Sequence, residues 1–197
     1  MTWLVLPVKS IAEGKSRLAP DLAPDRRRQL NLELLERALA LAARYPGAVR
    51  TLVASRCPEV LALARRQGAG WIAEKQPGLN EAVAQAFASL ATRAGEQVLV
   101  MSCDLPLARE DDLRMLVRPG EATIASDRTG TGTNVLCLPA GAPFRFHYGP
   151  MSRERHAAQA LRLGLPCRVV QTPSLAFDLD TLDDYREWQK REATVPA

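Results

Sequence analysis

Aromatic residues are scarce in this chain of 197 residues: three Trp, three Tyr and four Phe. That argues against a nucleic-acid binder, which needs stacking platforms set in a basic face. The net charge of +4 comes mostly from scattered arginines, with small clusters at Arg26 to Arg28 and Arg65 to Arg66. An anionic small-molecule substrate accounts for such a balance without nucleic acid. No apolar run approaches the roughly 18 residues of a membrane span, and Lys9, Glu13 and Lys15 interrupt any signal-peptide core. A cytoplasmic protein without a membrane partner is expected. The four cysteines, Cys57, Cys103, Cys137 and Cys167, form no C-x-x-C pair, which excludes the usual zinc and redox motifs. Three of them lie in or beside apolar runs and are expected to be buried free thiols. The dinucleotide fingerprint, the P-loop and the serine-hydrolase elbow are all missing.

What is present is a regular alternation of short apolar runs with helical periods. Strands are expected at 3–8, 49–54, 71–73, 98–102, 122–126, 134–138 and 168–171. Helices are expected at 26–44, capped by Asp25, and at 58–67, 79–93, 110–117, 152–163 and 181–191. Thr181 with Asp184 makes a capping-box start for the last of these. No repeat, low-complexity tract or linker divides the chain, so one domain over 1–197 is expected. Strands alternating with helices argue for an α/β fold with a mostly parallel sheet, and in such sheets ligands gather at the carboxyl ends of the strands.

Lysine is also rare. Of 26 basic residues only four are Lys, and two of these, Lys9 and Lys15, fall just past the first strand, beside Ser16 and Arg17. Lysine is a compact point charge suited to phosphate, whereas Arg favours planar, bidentate contacts. Asp104 follows the apolar run Val98 to Met101, and Pro106 stops further ladder pairing. Asp178 and Asp180 flank Leu179; in extended chain, positions i and i+2 share a side. Adjacent carboxylates repel unless a cation sits between them, and Mg²⁺, an oxygen-seeking ion shared between Asp and phosphates, is the natural occupant. Lys with Asp is the equipment of metal-assisted phosphoryl or nucleotidyl transfer. The Thr-Gly alternation from Thr129 to Thr133 reads as a hairpin-like connection whose free N–H groups can wrap an anion. Gly149 and Ser152 open a helix whose N-terminus can bind an anion, and His156 lies one turn on from Ser152. Asn80 is an adequate N-cap.

Taken in order, these segments resemble the 2-phospho-L-lactate guanylyltransferase family of deazaflavin coenzyme biosynthesis. The resemblance rests on Leu6-Pro7-Val8-Lys9 with Lys15-Ser16-Arg17-Leu18, on Pro77-Gly78-Leu79-Asn80, and on Asp104-Leu105-Pro106-Leu107. It continues through Thr129 to Asn134, Gly149 with Ser152 and His156, and Asp178-Leu179-Asp180-Thr181. It implies a Rossmann-like, glycosyltransferase A-like nucleotidyltransferase sandwich of three layers with a mostly parallel mixed sheet. It also implies transfer from GTP to a phosphorylated three-carbon acid (2-phospho-L-lactate, phosphoenolpyruvate or 3-phosphoglycerate), with pyrophosphate released.

By that resemblance Pro7, Val8, Lys9, Lys15, Ser16, Arg17, Gly78, Leu79 and Asn80 would hold the nucleotide, with Lys9, Lys15 and Asp104 catalytic. Asp104, Asp178 and Asp180 would hold Mg²⁺, and Thr133, Gly149, Ser152, Arg153 and His156 would hold the acceptor. A homodimer is compatible with it. The chain departs from the family where Met151-Ser152-Arg153 replaces the common Gly-Ser-Phe. Molybdopterin guanylyltransferases and cytidylyltransferases of the same fold are the nearest alternative, but they carry a Gly-rich loop after the first strand, and only Gly14 stands there. A non-catalytic nucleotide-binding protein would not need three aligned carboxylates. Asp104→Asn is expected to abolish most turnover with little loss of fold.

Overall fold

The structure, a computed structural model, describes residues 1–93 and 95–194. Its first strand, β1 (Thr2–Pro7), shows why the rest assembles as it does. Leu4, Val5 and Leu6 are all fully enclosed, so neither face of the strand meets water, as in parallel sheets covered by helices on both sides. Six further strands join it: β2 (Thr51–Ser55), β3 (Gly70–Ala73), β4 (Gln97–Met101), β5 (Ala122–Ser126), β6 (Thr133–Pro139) and β7 (Cys167–Val170). They form one sheet in the order β3-β2-β1-β4-β6-β5-β7. β6 runs antiparallel to both its neighbours, and the other four pairings are parallel.

Alternation along the strands divides the core into two layers. Leu4, Leu6, Leu99 and Met101 pack on α1 (Pro24–Arg44), α2 (Pro58–Arg66) and α4 (Glu110–Leu116). Val5, Val98, Val100, Leu136 and Leu138 pack on α3 (Leu79–Ser89) and α5 (Ser152–Arg162). α6 (Leu182–Ala193) adds a smaller cluster in which Phe177, Tyr185 and Trp188 meet Leu18, Leu30 and Leu34. The layers thus run helix, sheet, helix, as expected. No described helix is long and apolar enough to cross a membrane.

All thirteen expected elements are present; β5 has the expected ends and the others shift at one or both. α1 begins at Pro24, not Arg26: Ala23 is its N-cap and Asp25 lies in its first turn, since proline is preorganised for that position. Residues 48–50 turn as a 3₁₀ helix before β2, and another 3₁₀ turn spans Ser16–Leu18. The box at Thr181 forms, with Asp184 N–H donating to the threonine hydroxyl. Of the cysteines only Cys137 is buried; Cys57, Cys103 and Cys167 are half-buried, and all are free thiols.

Candidate active site

The sheet reverses its order of growth between β1 and β4, since β2 and β3 extend one way from β1 and β6, β5 and β7 the other. A crevice at the carboxyl ends of the strands follows from such a switch. Here it is a cleft of about 490 Å³, lined among others by Pro7, Val8, Lys9, Lys15, Ser16, Arg17, Leu79, Ser102, Asp104, Thr133, Tyr148 and Asp180. Because β6 is antiparallel, its first residue, Thr133, and not its last, reaches this edge. Ser102 N–H donates to Asn134 C=O there.

Lys15 is bonded to two of the aspartates expected to hold metal. Its backbone is left-handed (φ 55), and its ammonium donates to Asp104 Oδ2 at 2.6 Å and to Asp180 Oδ1 at 2.9 Å. Ser102 Oγ donates to Asp104 Oδ1 at 2.6 Å, and Arg17 lies 3.4 Å from Asp180. The segment carrying Asp178 and Asp180 is anchored by Leu179 N–H donating to Asp104 C=O and by the buried Leu179 side chain. Burial alone would push the Asp104 carboxyl upward, but Lys15 and then Ser102 outweigh it and hold the carboxyl below its ordinary value. Burial alone would lower Lys15; the two aspartates more than offset it.

Asp178 behaves differently. Burial first, then the like charges of Asp104, Asp180 and Asp127, raise its carboxyl, so a cation beside it would be favoured. Among the described residues no three His, Cys, Asp or Glu stand as a ready metal cluster. The donor set is oxygen only, and Asp104 and Asp180 already converge on one cation, Lys15. That suits Mg²⁺ held by carboxylates and completed by phosphates and water, but not a closed protein cage.

A second cavity of about 280 Å³ shares Pro7, Val8, Lys9, Glu13 and Leu79 with the first, and adds Gly78, Ala82, Arg56 and Glu74. The Glu74 side chain is only 9% exposed and lies 3.5 Å from the Arg56 guanidinium. Burial raises its carboxyl against the opposing pull of Arg56.

The residues expected on the acceptor side are drawn together less directly. Ser152 is buried at the start of α5, and Arg153 N–H donates to Thr131 C=O. The Thr-Gly loop does connect β5 to β6 in antiparallel fashion, and the anion it wraps is its own Asp127, whose carboxylate accepts from Thr131 N–H and Thr129 Oγ. Asn80 is not the cap of α3, which is Gly78. Its amide instead grips the Tyr148 peptide, accepting from N–H at 2.7 Å and donating to C=O at 3.2 Å. His156 is fully enclosed and does not line the cleft. Its Nδ1 lies 3.0 Å from Thr133 Oγ1, and its Nε2 accepts from His147 N–H at 2.9 Å. Burial, then His147, depress its pKa to about 4.

Sequence reading missed Ser102, Tyr148, Arg56 and Glu74. For Ser102 a signal existed, two residues before Asp104 at the strand end. The others are brought in by the order of the strands, which no local pattern encodes.

A family model described as "Guanylyl transferase CofC like" matches residues 2–189. A protein of Sphaerobacter thermophilus named phosphoenolpyruvate guanylyltransferase is 38% identical over 191 residues, covering 94% of this chain and 91% of its own length. One of Phenylobacterium zucineum named 3-phospho-D-glycerate guanylyltransferase is 35% identical over 191 residues, covering 93% and 88%. Among solved structures, a nucleotidyl transferase from Methanothermobacter thermautotroptrophicus superposes with a TM-score of 0.66 at 13% identity, covering 96% of this chain and 97% of its own.

Proposed function

The chain belongs to the guanylyl transferase CofC-like family, and on that premise we propose that it joins GTP to a phosphorylated three-carbon acid and releases pyrophosphate. The observation that carries this reading is one cleft lined by Lys9, Lys15 and Arg17 together with Asp104, Asp180 and Thr133. Cationic groups serve a polyphosphate, and carboxylates serve a second cation that offsets it. A hydroxyl serves the other substrate. Phosphoenolpyruvate and 3-phospho-D-glycerate, named in relatives, and 2-phospho-L-lactate are the acceptors to test.

In the proposed reaction an acceptor phosphate oxygen forms a bond to the α-phosphorus of GTP. The bond from that phosphorus to the bridging oxygen of the β-phosphate breaks, and pyrophosphate leaves with both electrons. The acceptor phosphate has a second pKa near 6 and is mostly dianionic at pH 7, so no general base is required. The obstacle is bringing two polyanions together. Lys9 and Arg17 offset phosphate charge at the cleft mouth, and Lys15, held in place by Asp104 and Asp180, presents a fixed ammonium within it. Positioning the two reactants in line supplies the remaining advantage. Mg²⁺ is part of the proposal: Asp104, Asp178 and Asp180 would hold it, and when bound it would neutralise phosphate charge and polarise the phosphoryl group.

The smaller cavity offers a place for the base. A carboxylate such as Glu74 matches the two adjacent N–H donors of guanine, and a guanidinium such as Arg56 matches its O6 and N7 acceptors. Incubation with each of the four NTPs and each acceptor, reading pyrophosphate and product mass, tests the reading. Product is expected with GTP and at least one acceptor; silence from every combination would overturn it. Glu74→Gln is expected to raise the KM for GTP about tenfold, the scale of one lost charged hydrogen bond. It should also erase the preference for GTP over ITP, which lacks the 2-amino group.

A further inference from the structure

His156 is a buried titratable side chain for which the proposed reaction has no use. It sits on α5 with no exposed surface, against the rings of Tyr148 and Phe144 at centroid separations of 4.8 and 5.8 Å. Both ring nitrogens are engaged, one with the His147 peptide and one with the Thr133 hydroxyl. A backbone N–H can only donate, so Nε2 must carry the lone pair. In a neutral imidazole the proton is then on Nδ1. Nδ1–H therefore donates to Thr133 Oγ1. The threonine hydroxyl keeps its own hydrogen for a further acceptor, and the described residues supply none.

Thr133 lines the cleft. A hydroxyl facing an anion can offer it either a hydrogen, which attracts, or a lone pair, which repels. We infer that His156 is a positioning residue for acceptor binding: through Thr133 it commits that hydroxyl to donate into the cleft, to an anionic oxygen of the phosphorylated acid. Through His147 it also steadies the chain leading to Gly149 and Ser152. Asn80 holds the very next peptide, at Tyr148, so the segment keeps one clamp if His156 is altered. The inference rests on the acceptor reading above.

Three variants separate its parts. In His156→Asn the amide nitrogen reaches roughly where Nδ1 lies and preserves donation to Thr133. In His156→Gln the amide reaches roughly where Nε2 lies, preserving the His147 contact and losing Thr133. Thr133→Val removes the hydroxyl. With GTP and phosphoenolpyruvate as substrates, His156→Gln is expected to raise the KM for phosphoenolpyruvate about tenfold while the KM for GTP changes less than twofold. His156→Asn should restore the acceptor KM to within about threefold of wild type. Adding His156→Gln to Thr133→Val should raise that KM no further, because both act through one hydrogen bond.

Equal rises in both KM values, or additive effects in the double variant, would overturn the inference. A readout independent of activity is ¹⁵N NMR of histidine-labelled wild type, where the Nδ1–H tautomer of His156 is expected at pH 7; the Nε2–H tautomer would also overturn it, even if no variant folds. Absence of any product from wild type would instead count against the catalytic reading, and the NMR result would still decide the tautomer.

Discussion

At the residue scale, the two rare lysines have different fates. Lys9 is exposed at the cleft, whereas Lys15 is ion-paired with Asp104 and Asp180. Their scarcity in an arginine-rich chain marked the segment that lines the cleft. That one would be bonded to carboxylates 89 and 165 positions away was not legible, because no local period records a contact across the fold. The pairing alters what Asp104→Asn should do. Removing one partner of a buried pair leaves a charge uncompensated, although Asp180 still serves Lys15. A loss of about 1–3 kcal/mol in unfolding free energy is therefore expected, measurable by urea denaturation, beyond the loss of turnover.

His156 gives a pH signature. Its pKa is depressed in the fold to about 4 by burial, then by His147, against about 6.5 unfolded. Its neutral form contributes stability that is complete above the unfolded value and is lost as pH falls through the folded one. Glu74 and Asp178, whose carboxyls are raised, act in the opposite sense near the lower end. The informative quantity is thus the difference between wild type and His156→Asn, which should shrink as pH drops from 6.5 towards 4. A difference that stays constant would mean that the ring is not held neutral by its site.

At the scale of elements, the strands and helices were nearly all legible, because buried apolar runs and helical periods are local. Their ends were less so, since ends depend on capping and packing: Pro24 opens α1 ahead of Asp25, and Asn80 serves Tyr148 instead of α3. The entry to α5 illustrates a local conflict. Met151 is its N-cap and adopts φ 56, the left-handed region that costs an L-residue roughly 1–2 kcal/mol. Glycine adopts it freely but loses about 0.5–1 kcal/mol more in chain entropy on folding. At 44% exposure, Met151 has limited packing to lose. Met151→Gly is expected to raise unfolding free energy by about 0.5–1 kcal/mol; a loss of stability would show that the Met side chain packs for more than its exposure implies.

At the scale of the molecule, the α/β class and the mostly parallel sheet followed from alternation, but the strand order did not. That order makes the site: it sets β1 beside β4 and turns β6 antiparallel so that Thr133 opens onto the cleft. It also carries the tail of the chain back, so that Leu179 docks on Asp104. Three stretches far apart in sequence thereby share one crevice, with phosphates and acceptor proposed along it and the base in the adjoining smaller cavity. The account depends on that crevice being where nucleotide and acid react. Single-turnover product formation from GTP and phosphoenolpyruvate, by wild type and Asp104→Asn in parallel, tests it most directly. Wild type should yield the diphosphate-linked guanosine product with one pyrophosphate per product, and Asp104→Asn should form it at least about a hundredfold more slowly. Equal rates in the two proteins would contradict the account.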